Sequence, residues 1–183
     1  MAATIPTNGI VLNSGLNVAD GDITLADGHG INFAATSDAT GQASELLDDY
    51  EEGTWSIIVE DHSDNAMTLN SSYNTGTYVK IGGQVTITGY FLVSSLGSAS
   101  GSTRIDGLPF NILGNARNYT GMTVGYAAGL SITAGTSVAG VAIINTDTIN
   151  FTNFDTAAGT TNLLASKITA DGQMIFSMTY TTV

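Results

Sequence analysis

"GTYVKIGGQVTITGYFLVSS", residues 76–95, decides the fold. Tyr78-Val79-Lys80-Ile81 runs into Gly82-Gly83, a pair suited to a two-residue hairpin turn. The return strand is predicted over Gln84–Ser94. Val85, Ile87, Phe91 and Val93 share one face with Gly89, and Thr86, Thr88, Tyr90 and Leu92 share the other. A period of two is the mark of a strand with one buried face. Working outward, Ile57 and Val59 alternate with Ser56 and Ile58. Further strands are expected at Thr103–Asp106, Thr120–Ala127, Val138–Asn145, Thr148–Phe154 and Gln173–Thr181. In the last, Met174, Phe176, Met178 and Tyr180 fall on one side. Short strands at this spacing, joined by Gly, Ser and Asn turns, predict an all-β antiparallel sandwich or jelly roll.

Composition agrees. Thr occurs 26 times and Gly 22 times in 183 residues. Thr is β-branched and suits a pleated surface. Helical periodicity is nearly absent. The uncharged run Asn118–Thr146 is long enough to span a bilayer, but Gly121, Gly125, Gly129, Gly135 and Gly140 interrupt it. Short strands fit it better than a membrane helix, and no membrane insertion is expected. The opening MAATIPTNG has neither a basic nor an apolar signal region, so no secretory leader is expected. There is no cysteine, which excludes disulfides and thiolate chemistry.

Charge divides the chain. Residues 1–64 hold 12 Asp and Glu and no Lys or Arg, whereas residues 65–183 hold 4 acids against 4 bases. A net charge of −12 repels nucleic acid, and no nucleic-acid partner is expected. The asymmetry predicts two parts in different environments.

Residues 1–43 read as an extended attachment arm. Asp20-Gly21 and Asp27-Gly28 are turn signals, with β-like pieces at Asp22–Leu25 and Gly30–Phe33. Large apolar side chains are too few there for a private core. Leu16, Val18, Ile23, Leu25, Ile31 and Phe33 are therefore candidate contacts to sister chains or a partner particle. At about 3.3 Å per residue, the arm reaches at most ~130 Å. The knob is assigned to residues 54–183.

Between arm and knob lies "LLDDYEEGTW", residues 46–55. Residues 44–53 are read as an acidic hinge or short helix. Ser44 is placed to cap it, the acids crowd its first turns and Gly53 ends it. Leu46, Leu47 and Tyr50, at spacings of three and four, would anchor it. With Trp55 they complete the candidate attachment or trimer contacts. The carboxylates would form the solvated face.

No catalytic constellation is legible. Adjacent acids on a surface helix do not make a paired-carboxylate cleft. Asp20-Gly21-Asp22 stops short of a calcium loop, and His29 and His62 lack companions at zinc spacing. Asp61-His62-Ser63 has the residue types of a hydrolase triad, but on an extended chain neighbours face opposite ways. A polar loop is expected there. No enzyme activity, metal or cofactor is predicted. Lys80 has two readings, an edge-strand lysine that discourages stray pairing or one partner of a specific salt bridge.

Four stretches carry a resemblance: "ADGHGINFAATSDA" (26–39), "LLDDYEEGTW" (46–55), "YNTGTYVKIGGQVTITGYF" (73–91) and "STRIDGLPF" (102–110). Together they resemble virion surface proteins of tailed bacteriophages, of tail-fibre or appendage type. The Asp48–Trp55 motif is the most specific element. Many relatives continue it with Thr-Pro, where this chain has Ser56-Ile57. The resemblance implies a location on the virion surface and a homotrimer with an N-terminal attachment segment and a C-terminal β-knob. It implies contact with other virion proteins through the arm and with a host cell-surface receptor. It transfers no catalytic residue. Two roles stay open: a short homotrimeric fibre or receptor-binding appendage, and a capsid decoration (cement or head-fibre) protein bound to the head lattice by its arm. Exposed tyrosines at Tyr73, Tyr119 and Tyr126 are candidate recognition residues.

Overall fold

The computed structural model describes residues 19, 22–26, 29–32, 46–47, 49–156 and 158–182. The chain divides into two compact units, Met1–Asp48 and Asp49–Val183.

In the first unit, β1 (Ile31–Asn32) pairs antiparallel with β2 (Leu46–Leu47), Ile31 opposite Leu47. The His29 amide donates to the Ala26 carbonyl at 3.0 Å, and the predicted turn signal Asp27-Gly28 lies outside the described residues. Asp22–Leu25, expected as a β piece, belongs to no strand.

The second unit is a nearly closed antiparallel β-sandwich. Its strands are β3 (Tyr50–Ser56), β4 (Ile58–Asp61), β5 (Thr68–Leu69), β6 (Thr75–Ile81), β7 (Gln84–Ser95) and β8 (Thr103–Asp106). There follow β9 (Gly121–Leu130), β10 (Ser137–Ala142), β11 (Ile149–Thr156), β12 (Gly159–Asn162) and β13 (Ile168–Thr181). The hydrogen-bonded order is β3-β6-β7-β13-β9-β10-β11-β8-β4. The helical elements described are 3-10 turns at Ala116–Asn118 and Ala165–Lys167.

Two places fold this path into layers. Residues 123–130 of β9 pair with β13, while Gly121 and Met122 pair with β10. At the other end, β3 and β4 are one stretch of chain broken at Ile57, whose amide bonds the Asn74 carbonyl at 2.8 Å. β3 thus ends the front layer (β3-β6-β7-β13-β9) and β4 ends the back layer (β10-β11-β8-β4). Closing a sheet this way leaves few unpaired edges.

The central hairpin forms as its sequence predicts. Ile81 pairs with Gln84 across Gly82-Gly83, and Gly82 has φ +54°, in the left-handed region that favours glycine. Val85, Ile87, Phe91 and Val93 are buried, as are Met174, Phe176, Met178 and Tyr180 from β13. Phe91 meets Phe176 in its own layer and Phe151 in the back layer, with ring centroids 6.3 and 6.0 Å apart. Each fully buried side chain of this size contributes about 1.5–3 kcal/mol.

One expectation is corrected. Residues 44–53 do not supply a helical hinge: Leu46–Leu47 and Tyr50–Ser56 are strands. Local signals favoured a helix, but β6 offers Tyr50–Ser56 a full antiparallel ladder, from Tyr50 opposite Ile81 to Ser56 opposite Thr75. That ladder also buries Trp55, which an exposed helix cannot do. Tertiary pairing overrides a weak local preference.

Candidate binding surface

The acidic stretch is divided by the pleat of β3. Asp49 and Glu51 lie toward one side. The Lys80 ammonium donates to the Asp49 carboxylate, and the Tyr78 hydroxyl donates to Glu51. Hydrogen bonding to Glu51 pushes the Tyr78 phenol above its ordinary pKa. Lys80 is buried, 5.6 Å from the centre of the Phe110 ring. It sits in β6, paired on both sides by β3 and β7, so the edge-strand reading fails and the salt-bridge reading holds. On the other side of β3, the Tyr50 hydroxyl donates to Glu52 at 2.9 Å. Asp49, Glu51 and Glu52 are exposed, as a solvated face requires, and each is also bonded by a neighbouring side chain at the start of the sandwich.

An order of effects follows. Asp49 is about half exposed and Lys80 is buried, with side-chain exposures of 47% and 6%. Asp49→Ala strands a buried ammonium, whereas Lys80→Met keeps the apolar stem over Phe110 and leaves a carboxylate that water can reach. Urea melts are expected to show Asp49→Ala losing about 1–2 kcal/mol, more than Lys80→Met. The reverse order would mean that the pair is not what holds the β3 start.

Asp61 is a buried structural carboxylate. It accepts from the amides of Ser63 (2.8 Å), Asn65 (3.1 Å) and Ser100 (2.7 Å), and from the Asn65 side-chain amide at 3.0 and 3.1 Å. These bonds, led by that from Ser100, hold its pKa far below the usual carboxylate range. The Asp61-His62-Ser63 stretch is therefore a turn organised by Asp61. Beside it, Arg104 on β8 donates to Glu60 on β4 at 2.6 and 2.8 Å and to Asp64 at 2.5 Å. This triad ties β4, which ends the back layer, to its neighbour β8. Among the described residues, no three His, Cys, Asp or Glu side chains gather as a metal would need.

A broad feature of the second unit is the outer face of the front layer. Register places Thr54, Thr77, Thr88, Ser177 and Thr123 in one row across β3, β6, β7, β13 and β9. All five are exposed. The hydroxyls of Thr77 and Thr88 bond each other at 2.8 Å, and in the next row Thr86 and Thr179 do so at 3.0 Å. Val79, Ile81 and Ile175 add exposed apolar surface to this face, at 37%, 48% and 46% exposure. Tyr73 and Tyr90 meet at its rim in a tilted contact with centroids 4.8 Å apart, and the Tyr90 hydroxyl donates to Gln173 at 2.6 Å. A shallow groove of about 440 Å³ crosses the centre of the face between β6 and β9. Among the side chains on this face, Glu52 is the one charged residue in the rows from Tyr50–Ile81 to Thr54–Thr123.

The sequence-predicted contacts are scattered. Leu16, Val18 and Phe33 lie outside the described residues. Ile23, Leu25 and Ile31 are exposed in the first unit, as is Leu47, and Leu46 takes part in β2. Tyr50 is 65% exposed on β3. Trp55 is a correction: at 5% exposure, packed edge-to-face on Phe176 at 6.2 Å, it is a core residue of its own chain. A sister chain cannot reach it. Tyr73, Tyr119 and Tyr126 are exposed, as a recognition role requires. The hydroxyl rows were legible in the alternation of β6, β7 and β13, but their alignment required the register.

No protein-family model matches this sequence, and no curated protein sequence matches it either. Among solved structures, the chain is similar to the crystal structure of the Dettilon tailspike protein (gp208). The two are 19% identical with a TM-score of 0.62. The chain shares a fold with a segment of that structure. The match covers 72% of this chain and 24% of the tailspike chain, so this protein spans about a quarter of that length. At such identity the likeness concerns the fold. Among the described residues, no helix is long and apolar enough to cross a membrane.

Proposed function

We propose that this chain is a structural protein of the tailed-bacteriophage virion surface, a homotrimeric fibre or receptor-binding appendage anchored through its N-terminal arm, residues 1–43. The observation that carries the reading is a tailspike-like fold over 72% of the chain, alongside the resemblance of the Asp48–Trp55 motif to virion appendage proteins. The acidic first unit suits attachment to another virion protein. The sandwich suits a projecting knob with the exposed Tyr119 open to a host receptor. Nothing in this role calls for catalysis.

Virions purified from an infected culture and labelled with an antibody to this chain test the proposal by electron microscopy. Label confined to the tail or to one vertex is the expected result. Label spread over the head would replace the appendage with a capsid decoration role. Unlabelled virions would end both.

A further inference from the structure

We propose that the outer face of the front layer is where copies of this chain pack against one another. The inference deepens the homotrimer reading above and rests on it only for the number of copies. Location on the virion does not enter.

The first argument is charge. Copies of a chain with net charge −12 repel, so they can meet closely only where charge is absent. The central row of the front face, Thr54 to Thr123, is such a place, and Glu52 lies beyond it toward the β3 edge. A basic partner would be expected to choose the acids instead.

The second argument is how the hydroxyls are satisfied. Thr77 and Thr88 bond each other, and so do Thr86 and Thr179. Each pair satisfies one of its two hydroxyl donors, and no side-chain bond among the described residues engages Thr54, Ser177 or Thr123, so the remaining hydroxyls are placed to bond those of a facing copy.

The third is packing. Val79, Ile81 and Ile175 stand exposed on this face, and β-branched side chains give up little rotamer freedom when covered. The groove of about 440 Å³ offers a projecting side chain of the facing copy a place to enter. Strands ~4.8 Å apart with ~3.4 Å per residue give the face roughly 550 Å² in projection. That is of the order of the ~800 Å² per partner buried in a standard interface. Around a three-fold axis, each copy turns this face toward the axis and meets one neighbour with one side of it and the other neighbour with the opposite side.

Sedimentation velocity on the full chain tests this. Wild-type protein is expected to run as one species at a multiple of 18.8 kDa. Thr88→Lys with Ser177→Lys, which puts two charges into the central row, is expected to lose association and run as a single chain. Its thermal melt should stay cooperative, because both side chains point to solvent. Thr77→Lys serves as a second, independent variant should that pair fail to fold. Thr160→Lys, on exposed β12, should leave the mass unchanged. A monomeric wild type would overturn the inference. So would folded lysine variants that stay as associated as wild type, which would place the contacts elsewhere, for instance in residues 1–48. Unlabelled virions with the oligomer intact would defeat the proposed function and leave this interface standing.

Discussion

Gly76→Ala is expected to destabilise the sandwich by about 3 kcal/mol, at the upper end for overpacking a core. Gly76 lies in β6, directly between Trp55 on β3 and Gly89 on β7. A Cβ there would overlap the Thr88 carbonyl oxygen and the Trp55 indole nitrogen. The carbonyl belongs to the backbone of a paired central strand and cannot swing aside. The indole is held against Phe176. Relief therefore requires β3 or β7 to move, which disturbs the ladder that fixes the acidic stretch. Gly125→Ala is the control, since a Cβ there meets nothing within 4 Å. It is expected to be neutral or slightly stabilising, because alanine restricts the unfolded chain. Urea denaturation of both variants checks the contrast. Equal midpoints would mean that β3 is not packed on β6 as described.

Asp61→Ala is the second large effect. Removing the carboxylate leaves the amides of Ser63, Asn65 and Ser100 without the acceptor they share. Asp61 is 1% exposed, so water cannot easily replace it. A fall in Tm of roughly 10 °C is expected. Asp61→Asn keeps one oxygen and should fall less. The same group gives stability a pH dependence. Its folded pKa is depressed below the unfolded value of ~3.9, so the unfolded state binds the proton more readily. The stabilisation is complete above about pH 5 and drains away as pH falls below ~4 toward the folded pKa. Acid titration of wild type and Asp61→Asn, followed by circular dichroism, should show the variant with the shallower loss. Parallel acid curves would mean that Asp61 is not the depressed carboxylate.

The periodicity of residues 84–95 and 173–181 was enough to assign their buried and exposed faces. Each side chain in a strand alternates sides whatever its neighbours do. The Gly82-Gly83 turn was equally local. The hydroxyl-rich face could be read strand by strand, yet its alignment into the row from Thr54 to Thr123 depends on pairings between residues far apart in sequence.

Residues 46–55 show where local reading stops. Leu46, Leu47 and Tyr50 have helical spacing, and the acids look like a first turn. Nothing local reveals that Lys80, Tyr78 and the β6 ladder are waiting for this segment. The same lack of partner information made Trp55 look like an interface residue and left Lys80 with two readings.

By itself, then, the sequence determined an all-β chain, the central hairpin, the two faces of its long strands and the separation of acidic from neutral halves. All of these depend on side-chain chemistry and period within a few residues. Only the tertiary structure decided that Tyr50–Ser56 is a strand, that Ile57 carries the chain from one layer to the other and that β9 joins both layers. Those outcomes depend on which backbone groups are left unpaired by distant strands, and an unpaired ladder costs more than a local helical preference returns.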